Sequence, residues 1–269
     1  MKITLVPTAG LCNRMNAILC AIASYEQYKI PTEIYWEKTN DCYADFGDLF
    51  EPLNNTDIIV KPLKNFYLKP GGKKLLFLPD LFRKFIFDVS YKPNRNIELK
   101  EFKDFCNNGS NIYVTSYNRY CLTSNNKERN VSTYFEPAED VMNRINQIVD
   151  NFFTANTIGV HIRRTDNLAA MRNSPIERFI DLMDKEIENN SETVFYLATD
   201  CLESKKMFIG RYKDRIIQTH NVLNRSSLQG MKDAVTELYC LGKTKKIIGS
   251  NCSTYSDMAA RLYNIDIIY

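Results

Sequence analysis

Thr157-Ile-Gly-Val-His-Ile-Arg-Arg-Thr-Asp166 is a short β-branched apolar run that ends in an imidazole, two guanidiniums and a carboxylate. The apolar half predicts a buried strand over 157–162. Open α/β sheets bind ligands just past the C-terminal ends of their strands, and that is where Arg163 and Arg164 fall. Two adjacent guanidiniums there are costly unless an anion answers them. An arginine fork matches phosphate geometry bidentately, so a diphosphate clamp is the first expectation. Side chains alternate along an extended chain, so Arg164 points away from Arg163. One of the two is therefore expected to be structural and paired with an acid.

On either side of this stretch the pattern is regular. An amphipathic helix is expected over 137–153, where Val141, Ile145, Ile148 and Val149 share a face. After the strand come a helix over 175–188 with Ser174 as its N-cap, a strand over 194–198, a helix over 202–212 and a strand over 216–218. A helix over 227–241, a strand over 246–249 and a helix over 255–263 complete the series. Strands alternating with helices predict a parallel sheet covered on both faces. The chain opens in the same way: strand 3–6, the loop Thr8-Ala-Gly-Leu-Cys-Asn-Arg14, helix 15–28 and strand 32–36. Between 40 and 134 the pattern is broken by Pro52, Pro62, Pro70-Gly-Gly72, Pro79 and Pro93. Only a helix within 75–87 and a short strand over 112–114 stand out there. The expected architecture is α/β, with two Rossmann-like domains, 1–150 and 151–269, facing across a cleft.

The 269 residues suffice for a sizeable core, and 44% apolar with 25% charged residues is an ordinary globular composition. A net charge of +3 without long basic blocks leaves no nucleic-acid footprint. Lys73-Lys74 and Lys243 to Lys246 read as solvated faces or helix ends. No apolar stretch approaches the ~20 residues of a membrane span, although peripheral contact with a membrane is compatible with the sequence. Eight dispersed cysteines without a C-x-x-C pair argue against a zinc site and a disulfide scaffold. Reduced thiols in the cytoplasm are expected. The Asn-x-Ser match at Asn130 reads as chance. The oligomeric state is not legible.

Every strand-to-helix loop of the pattern carries polar residues: Gly10 and Asn13, then Arg163 and Asp166, then Thr199 and Asp200, then Ser250, Asn251, Ser253 and Thr254. In a parallel sheet such loops share one edge. Each residue also has a structural alternative. Ser253 or Thr254 can simply cap the helix that follows, and so can Asp200. His161 alone would suit a core, and Glu237 and Asp233 could be ordinary helix charges. Together they favour a ligand site, with Ser253 and Thr254 at a helix N-terminus suited to phosphate. No P-loop, no G-x-G-x-x-G and no Asp-x-Asp occurs. Two histidines and no acidic cluster leave no expected metal site, so arginine would have to neutralise a leaving diphosphate.

At this point the residues match a family. Ile158-Gly-Val-His-Ile-Arg-Arg-Thr-Asp166, Pro175-Ile-Glu177, Phe195-Tyr-Leu-Ala-Thr-Asp200, Ser227-Leu-Gln-Gly230, Glu237 and Ile247-Ile-Gly-Ser-Asn-Cys-Ser253 resemble, in order, the blocks of core α1,6-fucosyltransferases. Gly10-Leu-Cys-Asn13, Ile34-Tyr-Trp36, Cys42-Tyr43 and Leu49-Phe-Glu-Pro52 are similar, more loosely, to the rhizobial nodulation fucosyltransferases. The resemblance implies a GT-B fold, GDP-fucose as donor, inversion at the anomeric carbon, a glycan acceptor and no metal or other cofactor. It implies that Arg163 grips the diphosphate, that His161 and Ser253 contact the donor and that Glu237 reads the nucleoside. Asp200 matches the first of two acidic residues, the second being Cys201 here. Gly10 to Asn13 resembles a loop that approaches the nucleotide. Asn167 stands where those enzymes have lysine, and 168–175 lacks the carboxylate proposed there as acceptor base, which leaves Asp166 or Asp200 for that role.

The expected function is thus fucosyl transfer from GDP-fucose to a glycan hydroxyl, catalysed through Arg163 and Asp166. Its rivals are a GDP-sugar-binding scaffold without turnover and a transferase for another GDP-sugar. A phosphatase with a histidine nucleophile would want a second histidine, and only His220 is on offer.

Overall fold

The computed structural model describes residues 2–54, 57–70, 75–91, 97, 99–120, 131–219, 221–222 and 224–269. Lys73, Lys74, Asn130 and His220 lie outside them. The chain divides into two compact units, Met1–Lys127 and Glu128–Tyr269.

The first unit contains β1 (Lys2–Pro7), α1 (Leu11–Tyr28), β2 (Thr32–Trp36), β3 (Ile58–Pro62), α2 (Leu78–Ile86), β4 (Val89–Tyr91), α3 (Leu99–Asn107) and β5 (Asn111–Ser116). Its five strands are all parallel, in the order β3-β2-β1-β5-β4. Helix α1 begins four residues before the expected position, so Cys12, Asn13 and Arg14 are helical rather than in a loop. Gly10 occupies the N-cap position and makes no side-chain cap bond, so the usual Ser/Asp start signal is missing. Strands β3 and β4 and helix α3 were not expected, because prolines and polar residues blur their periods.

The second unit contains α4 (Glu139–Phe152), β6 (Thr157–Ile162), α5 (Leu168–Asn173), α6 (Ile176–Asn189), β7 (Val194–Thr199), α7 (Leu202–Tyr212), β8 (Ile216–Ile217), α8 (Leu228–Gly242), β9 (Lys246–Ile248), α9 (Thr254–Tyr263) and β10 (Asp266–Ile268). This sheet is also all parallel, in the order β10-β9-β6-β7-β8. The expected boundary near 150 is corrected to 127/128. Helix α4 is tied into the second unit, since Arg144 ion-pairs with Asp233 on α8 and Lys232 with Asp140.

Alternation along β6 divides the second core. Ile158, Val160 and Ile162 join Phe195 and Leu197 of β7 against Phe179 and Met183 of α6 and Phe208 and Tyr212 of α7. Gly159 and His161 face the other way. A Cβ on Gly159 would meet Thr244 and Leu241 at 2.9 and 3.0 Å, so α8 lies close against the strand there. Helices therefore cover both faces, as the alternation of elements predicts. Ser174 is not the cap of α6: it ends α5, and its hydroxyl accepts the Asn251 N–H at 2.8 Å. No described helix is long and apolar enough to cross a membrane.

Candidate active site

The loops after β6 and β7, the segment before α8 and the first turn of α9 enclose a cavity of about 200 Å³. Of the residues singled out from sequence, His161, Arg163, Asp200 and Glu237 line it, together with Thr165, Arg225 and Tyr255.

Arg163 lies on the same side of the strand as His161, two residues on. Its Nη2 donates to Asp166 Oδ1 at 2.5 Å and its Nε lies 3.1 Å from Asp200 Oδ2. The side chain keeps 24% exposure and borders the cavity, so it is paired but not sealed. Arg164 points the opposite way and is spent on structure. Its two terminal nitrogens donate to the carbonyls of Met171 and Ser174 at the end of α5, at 3.2 and 2.6 Å. Backbone carbonyls therefore take the place of the expected acid.

Asp200 acts as a brace for the arginine loop. One oxygen accepts the Arg164 N–H at 2.7 Å, and the other accepts the Thr165 hydroxyl at 2.5 Å and its N–H at 3.3 Å. Asp166 gives its second oxygen to Arg225 Nη2 at 2.5 Å, and so sits between two guanidiniums. Partial burial acts to raise its pKa. The Arg225 hydrogen bond and the charges of both arginines outweigh that and hold the carboxyl below its usual range.

His161 is buried, with Nδ1 2.7 Å from the Ser256 hydroxyl and its ring 4.8 Å from that of Tyr255. Burial, reinforced by the Arg163 charge, drops its pKa to about 3, so the imidazole is neutral. Ser250 knits the same corner: its hydroxyl donates to the His161 carbonyl at 3.1 Å and accepts the Arg163 N–H at 2.9 Å.

Glu237 is buried on α8, where desolvation raises its pKa to about 7 against an Asn221 hydrogen bond of 2.7 Å. Asp233, one turn earlier, is structural. It pairs with Arg144 and accepts the Val222 N–H at 2.6 Å, fixing the segment that carries Asn221. Gly230 lets that segment pass: an added Cβ would sit 1.9 Å from the Asn224 carbonyl oxygen, so no other residue fits.

Ser253 and Thr254 do not line the cavity. Ser253 is buried at the N-cap of α9 without a side-chain cap bond, and Thr254 opens the helix. It is Tyr255 that lines the cavity and Ser256 that holds His161. Gly10 and Asn13 belong to the first unit, at the start of α1. Asn167 caps α5 through Ala170 N–H at 3.0 Å and donates to the Cys252 carbonyl at 2.9 Å. Among the described residues no group of His, Cys, Asp and Glu is gathered as a metal site would need.

Sequence reasoning missed Arg225. A cation two residues before the N-cap Ser227 opposes the α8 dipole, and that misfit is the one local signal that it answers an anion.

No protein-family model matches the chain, and no curated protein matches it by sequence. Its backbone is similar to solved structures. One is NodZ alpha-1,6-fucosyltransferase soaked with GDP-fucose, at 15% identity and TM-score 0.63, covering 97% of this chain and 92% of that one. Another is POFUT1 in complex with GDP, at 11% identity and TM-score 0.60, covering 99% and 97%. A third is a variant of Arabidopsis thaliana FUT1 in complex with GDP, at 13% identity and TM-score 0.63, covering 100% and 70%. The fold of this chain is that of the solved fucosyltransferases.

Proposed function

We propose that this chain is an inverting, metal-independent glycosyltransferase that moves fucose from GDP-fucose to a glycan hydroxyl. The second unit holds the nucleotide and the first serves the acceptor. The observation that carries the reading is the pair Arg163 and Arg225, which border one cavity with a single carboxylate, Asp166, between them. The likeness to fucosyltransferases solved with GDP or GDP-fucose supports the choice of nucleotide.

In this mechanism the bond from the anomeric carbon to the β-phosphate oxygen breaks early, and its electron pair leaves with GDP. The acceptor hydroxyl attacks the opposite face, and as the new carbon–oxygen bond forms its proton passes to solvent water. Charge grows on the diphosphate as the bond stretches, and fixed donors at that position stabilise the transition state more than the ground state. Arg163 and Arg225 supply the donors, exchanging Asp166 for the diphosphate. The Ser256 hydroxyl accepts the Ser250 N–H at 3.1 Å, and in this scheme it donates a hydrogen bond to His161 Nδ1, 2.7 Å away. That leaves Nε2–H as a neutral donor toward the cavity. Glu237, ionised, accepts the paired N–H groups of guanine. Asp166 is a counter-ion in this scheme rather than a base, because a carboxylate between two guanidiniums is a poor proton acceptor. The six free thiols among the described residues suit a reducing cytoplasm.

The test is turnover of GDP-fucose on a glycan panel in the presence of a chelator, with thermal shifts by GDP and UDP alongside. Transfer without metal and a shift by GDP alone are expected. A preference for UDP, or activity only with manganese, overturns the assignment. One observation favours a second reading, a GDP-sugar-binding scaffold: Asp166 and Asp200 are both already committed to loop donors. GDP binding with neither transfer nor donor hydrolysis would select it. Faster turnover of another GDP-sugar would keep the chemistry and change the substrate.

A further inference from the structure

Glu237 does not stand alone in the cavity wall: a polar chain that starts on α4 ends on its carboxylate. Helix α4 buries Val141, Ile145 and Ile148, and Arg144 sits half-buried at the margin of that face. Its guanidinium is a fork with two arms. Nη1 pairs with Asp233, whose carboxylate also takes the Gln229 amide at 2.8 Å and the Val222 N–H at 2.6 Å. That pairing fixes the fork, and Nη2 donates to Asn221 Oδ1 at 2.8 Å. Asn221 Nδ2 in turn donates to Glu237 Oε1 at 2.7 Å and to the Thr219 hydroxyl at 3.1 Å.

A guanidinium can only donate, and an ionised carboxylate can only accept. Between them the Asn221 amide has one favourable direction, oxygen toward Arg144 and nitrogen toward Glu237. Turned round, it would set N–H against N–H at one end and oxygen against oxygen at the other. Without the Arg144 arm the amide oxygen can swing to Glu237, where it suits the protonated acid instead. Burial, helped by the Asp233 charge, raises the Glu237 pKa; the Asn221 hydrogen bond leads the groups that lower it, followed by the charges of Lys205 on α7 and Arg144. Tyr196 on β7 and Cys240 on α8 also face this carboxyl, and burial keeps both neutral. Neutral His161 and the charged Arg163, Asp200 and Arg225 line the same cavity and are unaltered in the variants below.

We infer that Arg144 is a positioning residue for nucleotide recognition: it fixes the Asn221 amide with its N–H toward Glu237, and so holds that carboxylate ionised and oriented for guanine. Arg144 itself does not line the cavity. The inference rests on the reading of Glu237 as the guanine contact. The test is calorimetric titration of GDP between pH 5.5 and 8.5 into the unaltered chain, Asn221→Ala, Arg144→Lys and the double variant. Arg144→Lys keeps a cation beside Asp233 but gives up the second arm of the fork. Asn221→Ala leaves the Arg144–Asp233 pair in place, so it reports on the relay even where the lysine variant folds poorly. Each single variant should move the rise of GDP affinity to higher pH. Below pH 7 GDP should bind ~3- to 10-fold more weakly, the contribution of one net hydrogen bond, and affinity should recover above pH 8, where Glu237 is ionised. The double variant should match Asn221→Ala, because Arg144 acts through the amide. Three results overturn the inference while GDP binding stands: an unchanged profile, a loss equal at every pH, or effects that add in the double variant. Absence of GDP binding by the unaltered chain overturns the proposed function and this inference with it.

Discussion

Each unit carries an arginine in the segment that follows its first strand, and the two guanidiniums are put to opposite use. Arg14, on α1, is 1% exposed. It donates to the Ala9 and Glu37 carbonyls at 2.7 and 2.5 Å and to the Thr39 hydroxyl at 2.7 Å, with Trp36 4.7 Å from its guanidinium. Arg163, after β6, bonds to carboxylates at the edge of a cavity. A cation held by neutral carbonyls in a sealed site has its donors used up. A cation held by exposed carboxylates can exchange one anion for another. Arg164 sides with Arg14, since its partners are carbonyls, which is why adjacency in sequence says so little about role.

The comparison breaks most readily at these two positions. Arg163→Ala should fold normally and lose ~10²–10³-fold in turnover, the effect of removing one fixed donor from a developing anion. Arg14→Ala should do the reverse. It orphans two carbonyls and a hydroxyl around a buried void and should cost about 3 kcal/mol or more in chemical denaturation. Normal transfer by folded Arg163→Ala, or an unchanged melt for Arg14→Ala, would void the distinction.

The same contrast explains what could be read in the sequence. The second sheet was legible because β6 and β7 are rich in β-branched or aromatic residues, with helices of clear period between the strands. The alternation that separates His161 and Arg163 from Ile162 and Arg164 follows from the strand alone. The first unit was opaque where local pattern and tertiary role disagree. Helix α1 starts without a capping side chain, and Ile58-Ile-Val-Lys-Pro62 is an edge strand ending in proline. Helix α2 shows its apolar stripe to the outside, so apolar content located the helix but misdirects about its buried face. Arg225 escaped notice because its partner, Asp166, lies 59 positions away. Asp200 was visible as a polar loop residue, but its work of holding the Arg164 and Thr165 amides depends on two loops that only the sheet brings together.

Glu237 sharpens the contrast through pH. Its folded value of about 7 stands above the 4.5 of an ordinary glutamate. Between those values the folded protein keeps a proton that the unfolded chain has released. The stability from this group is therefore full below about 4.5 and is lost as pH rises through 7, by up to roughly 3 kcal/mol. His161 works the opposite way, being depressed from 6.5 to about 3 and losing stability as pH falls through that range. The readout is therefore the difference between the unaltered chain and Glu237→Gln, whose melt should lack the Glu237 component. Ligand binding should run counter to stability. Guanine needs the ionised carboxylate, so GDP affinity should rise toward pH 7, by up to ~10-fold per unit, and flatten above it. Calorimetry across pH 5.5 to 8 checks this, and a flat profile in the unaltered chain would remove Glu237 from the nucleotide site.

The smallest effect is expected where the two accounts of Asp166 part. If this carboxylate only occupies the two guanidiniums until a diphosphate arrives, Asp166→Asn takes away a competitor of GDP. Ion pairs this exposed are worth about 0–1 kcal/mol, so GDP should bind up to ~5-fold more tightly and turnover should change little. If Asp166 takes the acceptor's proton, the same substitution should cost ~10²–10⁴-fold in kcat with GDP binding nearly unchanged. The two outcomes differ on affinity, tighter against unchanged, and by orders of magnitude on rate, so one titration and one assay separate them. The arrangement favours the first. Both oxygens are already accepting from Arg163 and Arg225, and a base held below its usual pKa by two cations has little driving force to take a hydroxyl proton.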